Sequence, residues 1–342
     1  MTALCAGQPG ARPDDAKVPR NRVVVLHADD FGMSEAVNRG VLRGFEQGLL
    51  TSTSILANAP GAASALASWP RLERRRAGRV LPSTARRQEL RDPPLPFDLG
   101  VHLNLTQGRP LTAGKYPELL LDAAGRFPGA WGLFWRLWQH GRHCRQAIQA
   151  ELSAQIALVI EHGIRPTHLN GHQYLELFPT MGGHFTALME RFNIGLMRIP
   201  WETGLTRTAL WHQRSPGAWL VAQIKRLFAA RLRVALIRQG NPCPGAFRGT
   251  ATAGRVNLGV LREFLEAHRT GMIEVGLHPG ELAPEPVSAV TADGWFDALR
   301  PFRPRELEMC TSVRAAEYLA AEKYRLGRLA ELRPGGRARS AA

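Results

Sequence analysis

Arg22-Val23-Val24-Val25-Leu26-His27-Ala28-Asp29-Asp30-Phe31-Gly32 is the stretch whose reading decides the fold. The short apolar run at its start is typical of a buried strand. It breaks into a polar loop at His27 to Gly32, and Ser34 then stands as the N-cap of a helical pattern, Val37, Val41, Leu42 and Phe45. Strand, polar loop and helix follow one another here. Further along, Leu99 to Leu105, Pro166 to Asn170, Met197 to Pro200 and Met272 to His278 give more short strands. A long helical stretch covers Trp131 to Ile160, another helix follows Pro179, and a last helix plus strand lies within Ala315 to Leu332. Strands alternating with helices predict a parallel α/β fold, open or closed into a barrel.

Outside this core, residues 1–20 read as a disordered N-terminal tail and 333–342 as a disordered basic C-terminal tail. They flank one domain over 21–332, into which 71–97, rich in Arg and Pro, enters as an exposed insertion. The chain has 342 residues, ample for a full core, and carries 44 Lys and Arg against 29 Asp and Glu, a formal charge of +15. That charge favours anionic partners, but the basic residues accompany no recognisable nucleic-acid module, so no nucleic-acid partner is expected. Cys5, Cys144, Cys243 and Cys310 form no Cys-x-x-Cys pair. With no apolar leader in Met1 to Arg20, a cytoplasmic protein is expected. Ala218 to Ile237 places Leu220, Ile224, Leu227 and Phe228 among Lys225, Arg226, Arg231 and Arg233. It reads either as an ordinary surface helix or as a basic amphipathic helix meeting anionic lipid at the inner face of the membrane.

In parallel α/β folds the reacting groups sit at the carboxyl ends of strands, where the loops converge. Asp29, Asp30, His102, His172 and His278 all fall within or just beyond strands. One carboxylate and two imidazoles hold a divalent cation and leave positions open for water and substrate. Asp30, His102 and His172 are that set, Asp29 is the candidate base, and His278 the candidate acid. Each has a plainer reading alone: the Asp pair as a turn or cap, His102 as a core histidine between leucines, His278 as a turn residue before Pro279-Gly280. His168 has helical spacing to His172, but Pro166 and Asn170-Gly171 argue against a helix, so it counts as support rather than ligand. Two histidines and a carboxylate also hold iron in oxygenases, and a non-catalytic sugar-binding module is a further alternative. The adjacent second carboxylate favours hydrolysis.

Four stretches together resemble the YdjC/ChbG-type carbohydrate deacetylases, including the HpnK-like branch associated with hopanoid biosynthesis. They are His27 to Ser34 with Gly48 to Thr53, Gly100 to Thr106 with Gly108 to Leu111, Pro166 to Gln173, and Glu274 to Gly280. The resemblance implies a distorted β/α barrel similar to polysaccharide deacetylases, and one divalent metal ion, Mg2+ or Zn2+, on Asp30, His102 and His172. It also implies Asp29 as base, His278 as acid, and Arg198 near the site, orienting Asp29 or binding substrate. The expected reaction is hydrolysis of the acetamido group of an N-acetylated amino sugar, glycan- or lipid-linked, with release of acetate; similar proteins suggest a homodimer. Asn170 departs from the Asp of many members, and Tyr174 and Glu176 stand where many have histidines, which puts sugar preference and the tuning of the site in question.

Overall fold

The computed structural model describes residues 22–78, 97–202, 216–241, 246–282 and 290–332. Their sheet contains β1 (Arg22–Phe31), β2 (Ser52–Ile55), β3 (Asp98–Leu103), β4 (Leu169–Gly171), β5 (Ala246–Arg248), β6 (Gly271–Leu277) and β7 (Arg325–Leu326). The order across it is β4-β3-β2-β1-β6-β5, with β7 beside the start of β1 at Val23 and Val24, and every pairing is parallel. β1 is buried along nearly its whole length because neighbours flank both its edges and helices cover the sheet.

The sheet curls into a half-barrel. Leu196 to Arg198 runs beside β4, with Leu169 N–H donating to Leu196 O and Arg198 N–H to Leu169 O. The Arg198 guanidinium then reaches across to lie 4.9 Å over the Phe247 ring of β5. The two edges of the sheet therefore approach each other around Arg198, which is buried. Met197 to Pro200, expected as a strand, contributes only the bridge Met197 to Leu169, since Pro200 has no N–H to continue a ladder.

The helix α1 (Glu35–Glu46) starts where expected, its Ser34 Oγ accepting from Val37 N–H at 3.3 Å. It turns Val37, Val41 and Phe45 inward, and Gly40 lies so close to Gly280 that a Cβ on Gly40 would come within 2.4 Å of the Gly280 Cα. That approach fixes the loop carrying His278 against the helix. The next helix, α2 (Ala62–Gly78), corrects the expected insertion: 71–78 continue the helix, and Leu72 is buried one turn from the core residue Trp69. Phe97, assigned to the same insertion, is buried with its ring 4.6 Å from that of Phe45. Residues 79–96 and the expected tails lie outside the described residues.

The long helix expected over Trp131 to Ile160 is two, α3 (Gly129–His140) and α4 (Arg145–Glu161), separated by a turn at Gly141–Cys144. Apolar spacing on the two sides matches well enough to conceal the break. After β4 comes a short 3-10 helix, His172–Leu177, then α5 (Met181–Arg191) and α6 (Pro216–Arg238). The remaining helices are α7 (Leu258–Glu266), α8 (Arg303–Thr311) and α9 (Val313–Ala321). No helix among the described residues is long and apolar enough to cross a membrane.

Candidate active site

Two consecutive residues of a regular strand point to opposite faces. Asp29 and Asp30 nevertheless line one cleft, because β1 bulges there. Ala28 pairs with Thr53 and Phe31 with Ile55, so both aspartates stand opposite the single residue Ser54. Asp30 takes φ 66°, the left-handed conformation, which Asp tolerates better than most residues but at a cost of about 1–3 kcal/mol. The residues after His172 are strained in the same sense, Gln173 at φ 54° and Tyr174 at φ 63°.

Asp30 Oδ1 stands 3.5 Å from His102 Nε2 and 3.3 Å from His172 Nδ1. Donor atoms bound at about 2.0–2.2 Å to one cation lie roughly 3–3.6 Å apart at octahedral to tetrahedral angles, so this spacing fits a shared divalent ion. All three side chains are buried, with one candidate ligand atom from each within 4.8 Å of the others. The far nitrogens, His102 Nδ1 and His172 Nε2, have no hydrogen-bond partner among the described residues, so no other polar group claims either ring. Burial, outweighing the pull of Asp30, lowers the pKa of His172 and favours the neutral imidazole that metals bind. Burial pushes the Asp30 carboxyl upward, but the Arg303 guanidinium and the two histidines overcome it and hold Asp30 well below the usual carboxylate range. Arg303 Nη2 donates to Asp30 Oδ2 at 2.8 Å and to Asp297 Oδ1 at 2.9 Å. Asp30 thus offers one oxygen to the histidine side while the other is anchored.

Asp29 answers to a different cation. Arg198 Nη1 lies 2.7 Å from both its oxygens, and Arg198 Nε donates to Glu274 Oε1 at 2.7 Å. Asn170 Nδ2 donates to Asp29 Oδ1 at 3.0 Å, a contact that a second carboxylate at 170 would turn into repulsion. Burial raises the Asp29 pKa, but Arg198, His102 and His27 reverse that and hold it well below the ordinary range. His27, whose Nε2 is 3.2 Å from Asp29 Oδ1, is pushed down to about 3, first by burial and then by Arg198, and so stays neutral beneath the site. Arg198 borders the cleft, yet Nε and Nη1 are committed to the two carboxylates; among the described residues only its buried Nη2 has no partner.

Across the cleft, His278 follows β6 with Nε2 3.8 Å from Asp29 Oδ2 and Nδ1 3.7 Å from Glu306 Oε2. Its backbone N–H also donates to Glu306 Oε2. Burial lowers the His278 pKa, but Glu306 together with Asp30 and Asp29 raises it above the ordinary imidazole value. Asp29, Asp30, His102, His172, Arg198 and His278 therefore all border one open cleft of about 210 Å³. His168 does not: its ring packs edge-on against His27 at 5.0 Å, and Nδ1 is 2.8 Å from Thr167 Oγ1. Sequence reasoning missed Arg303, Asp297, Glu274, Glu306 and Trp295, whose ring lies 6.2 Å from that of His172. Glu274 stood within a quoted stretch, and a buried acid inside an apolar strand was a usable signal. Arg303 lies 273 residues from Asp30 with no local pattern to mark it.

A model of the family described as YdjC-like protein matches residues 23–321. The chain belongs to the YdjC-like family. This YdjC-like chain is 29% identical over 272 residues to a carbohydrate deacetylase of Mus musculus, spanning 77% of this chain and 79% of that protein. With a carbohydrate deacetylase of Homo sapiens it shares 29% identity over 331 residues, 93% of this chain and 94% of the other. The crystal structure of a protein of Enterococcus faecalis assigned to cellobiose-phosphate cleavage is similar at a TM-score of 0.61 and 19% identity, over 92% of this chain and 100% of that one. At that identity the likeness bears on the fold, a half-barrel of parallel strands.

Proposed function

We propose that this YdjC-like protein is a metal-dependent carbohydrate deacetylase that hydrolyses the acetamido group of an N-acetylated amino sugar. The observation that carries the reading is the Asp30 oxygen poised 3.5 and 3.3 Å from two imidazole nitrogens, beside a second, separately anchored carboxylate. Asp30, His102 and His172 would hold a divalent cation, Mg2+ or Zn2+, which would supply Lewis-acid polarisation of the acetamide carbonyl and make the attacking water more acidic. Asp29, ionised beside Arg198, accepts a proton from water as its oxygen adds to the carbonyl carbon. Arg198 orients Asp29 for this step; contact of its remaining Nη2 with substrate is the second role open to it. His278, whose pKa Glu306 raises against burial, delivers a proton to the amide nitrogen as the carbon–nitrogen bond breaks, leaving acetate and the free amine. Family membership and the named deacetylase relatives support this reaction class. The paired carboxylates weigh against an iron oxygenase, which needs no base next to its ligand.

The substrate is a glycan- or lipid-linked N-acetyl sugar, the catalytic unit is the single domain 21–332, and the working form is a homodimer. Acetate release from a panel of N-acetylated glycosides, free and lipid-linked, tests the reaction. Release that stops on chelation and returns with Zn2+ or Mg2+ supports it. Oxygen-dependent turnover, or sugar binding without acetate at any metal loading, defeats it.

A further inference from the structure

The helix α3 (Gly129–His140) buries Leu133 and Leu137 against the core. Its opposite face is not polar. Trp131, Trp135 and Trp138 recur at i, i+4 and i+7, a single stripe on a helix of 3.6 residues per turn, and their exposures are 67%, 57% and 69%. Tryptophan is seldom left this exposed, and three in one stripe make an apolar patch of the kind that marks an interaction surface. None of the three lines the cleft.

The charge around the stripe identifies its partner. From Gly129 to Ala150 the sequence contains no Asp or Glu, while Arg136, Arg142 and Arg145 lie within it. Arg142 and Arg145 are exposed. The second helix at this end of the barrel, α6 (Pro216–Arg238), is likewise free of acids and exposes Ile224, Leu227, Val234 and Ile237 among Arg226, Arg231 and Arg238. Both helices flank the segment after His172: Phe134 of α3 packs on Phe178 at 6.0 Å, and Lys225 of α6 lies 4.2 Å over the Tyr174 ring. Tryptophan with arginine is the pairing favoured at the headgroup layer, where the indole buries its rings and keeps its N–H wet. A second copy of this chain, carrying the same excess of positive charge at that face, is disfavoured by repulsion.

We propose that the Trp131, Trp135 and Trp138 stripe docks the protein on an anionic lipid bilayer, with the acid-free face of α6 as the flanking contact. The stripe enters the headgroup and upper acyl region, and the arginines pair with anionic headgroups. This docking stands apart from the deacetylase reading, since it needs neither the cleft nor a metal.

The test is co-sedimentation of the full chain with vesicles of zwitterionic lipid alone and of zwitterionic lipid mixed with an anionic lipid. Wild type should bind the anionic vesicles and release as salt rises. The triple variant W131Q/W135Q/W138Q should bind them roughly a hundredfold less, since lost partitioning scales with the apolar area removed. The charge variant R142E/R145E should also weaken binding. Circular dichroism and thermal unfolding of each variant check that it is folded. Absence of wild-type binding to anionic vesicles, or equal binding by the folded triple variant, would overturn the proposal. So would a solution dimer that the triple variant abolishes, or a soluble glycan that blocks the stripe while vesicles do not bind.

Discussion

Replacing Arg198 with Met removes a cation whose Nη1 is 2.7 Å from both oxygens of Asp29 and whose Nε is 2.7 Å from Glu274. All three side chains are buried. Deleting one partner of such a group leaves two carboxylates facing each other without compensation, a loss of about 3–5 kcal/mol of stability. In a domain of this size that lowers Tm by on the order of 10 °C. The effect on chemistry follows from sign. Burial raises the Asp29 pKa and Arg198 is the foremost influence opposing it. With a depressed folded-state pKa, the ionised form and the stability it contributes persist above the ordinary carboxylate value and are lost only as pH falls through the folded one. Without the guanidinium the folded pKa climbs, so the acid limb of the kcat/KM profile moves to higher pH. At neutral pH turnover falls by roughly 10²–10⁴, the usual worth of a general base. Metal affinity, measured by calorimetry, should change little, because Asp30 is anchored by Arg303 instead. Arg198→Lys should recover part of the rate, since an ammonium restores charge but not the fork that bridges Asp29 and Glu274. An Arg198→Met enzyme with an unmoved acid limb and a raised KM alone would refute the positioning role and point to direct substrate contact.

Four further variants have expected outcomes. His102→Ala should weaken Zn2+ binding by more than about a hundredfold, beyond the loss usual for residues that only orient a ligand, whereas Asp29→Asn should keep the metal and lose turnover by roughly 10²–10⁴; calorimetry and acetate release read the two. Glu306→Gln should move the alkaline limb of kcat/KM to lower pH: in the proposed acid role His278 works in its protonated form, present below its folded pKa and lost above it, and Glu306 is the first influence raising that pKa against burial. Gly100→Ala should destabilise the fold by about 1–3 kcal/mol in chemical denaturation, because the new Cβ would lie 2.3 Å from His168 Nε2 in a packed layer.

The sequence announces the front of the site more clearly than its support. Asp29, Asp30, His102, His172 and His278 each fall within or just beyond a short strand, and polar residues in such places are visible without a structure. β2 is invisible by the same logic: Ser52, Thr53 and Ser54 look like a polar loop, yet they are buried because they face His27 and the backbone of Ala28 inside the curl. β5 is only Ala246–Arg248, too short for any periodicity to register. Arg303 reaches Asp30 across 273 residues, through tertiary packing alone, so no spacing along the chain could signal it, and Asp297 joins the site only as the local partner of that arginine. The basic run from Arg71 suggested a loop because its charges obscured Leu72, the buried residue that keeps α2 going.

The bulge at Asp29 and Asp30 has a consequence for how this centre can change. On a regular strand the two carboxylates would point to opposite faces, and the bulge instead turns both into one cleft, where each would feel the other's charge if it stood alone. Here each has its own guanidinium, from a different segment of the chain, so the acidity of one is open to retuning through residue 198 and that of the other through residue 303. A lineage, or a protein engineer, inherits two independent dials mounted on adjacent residues.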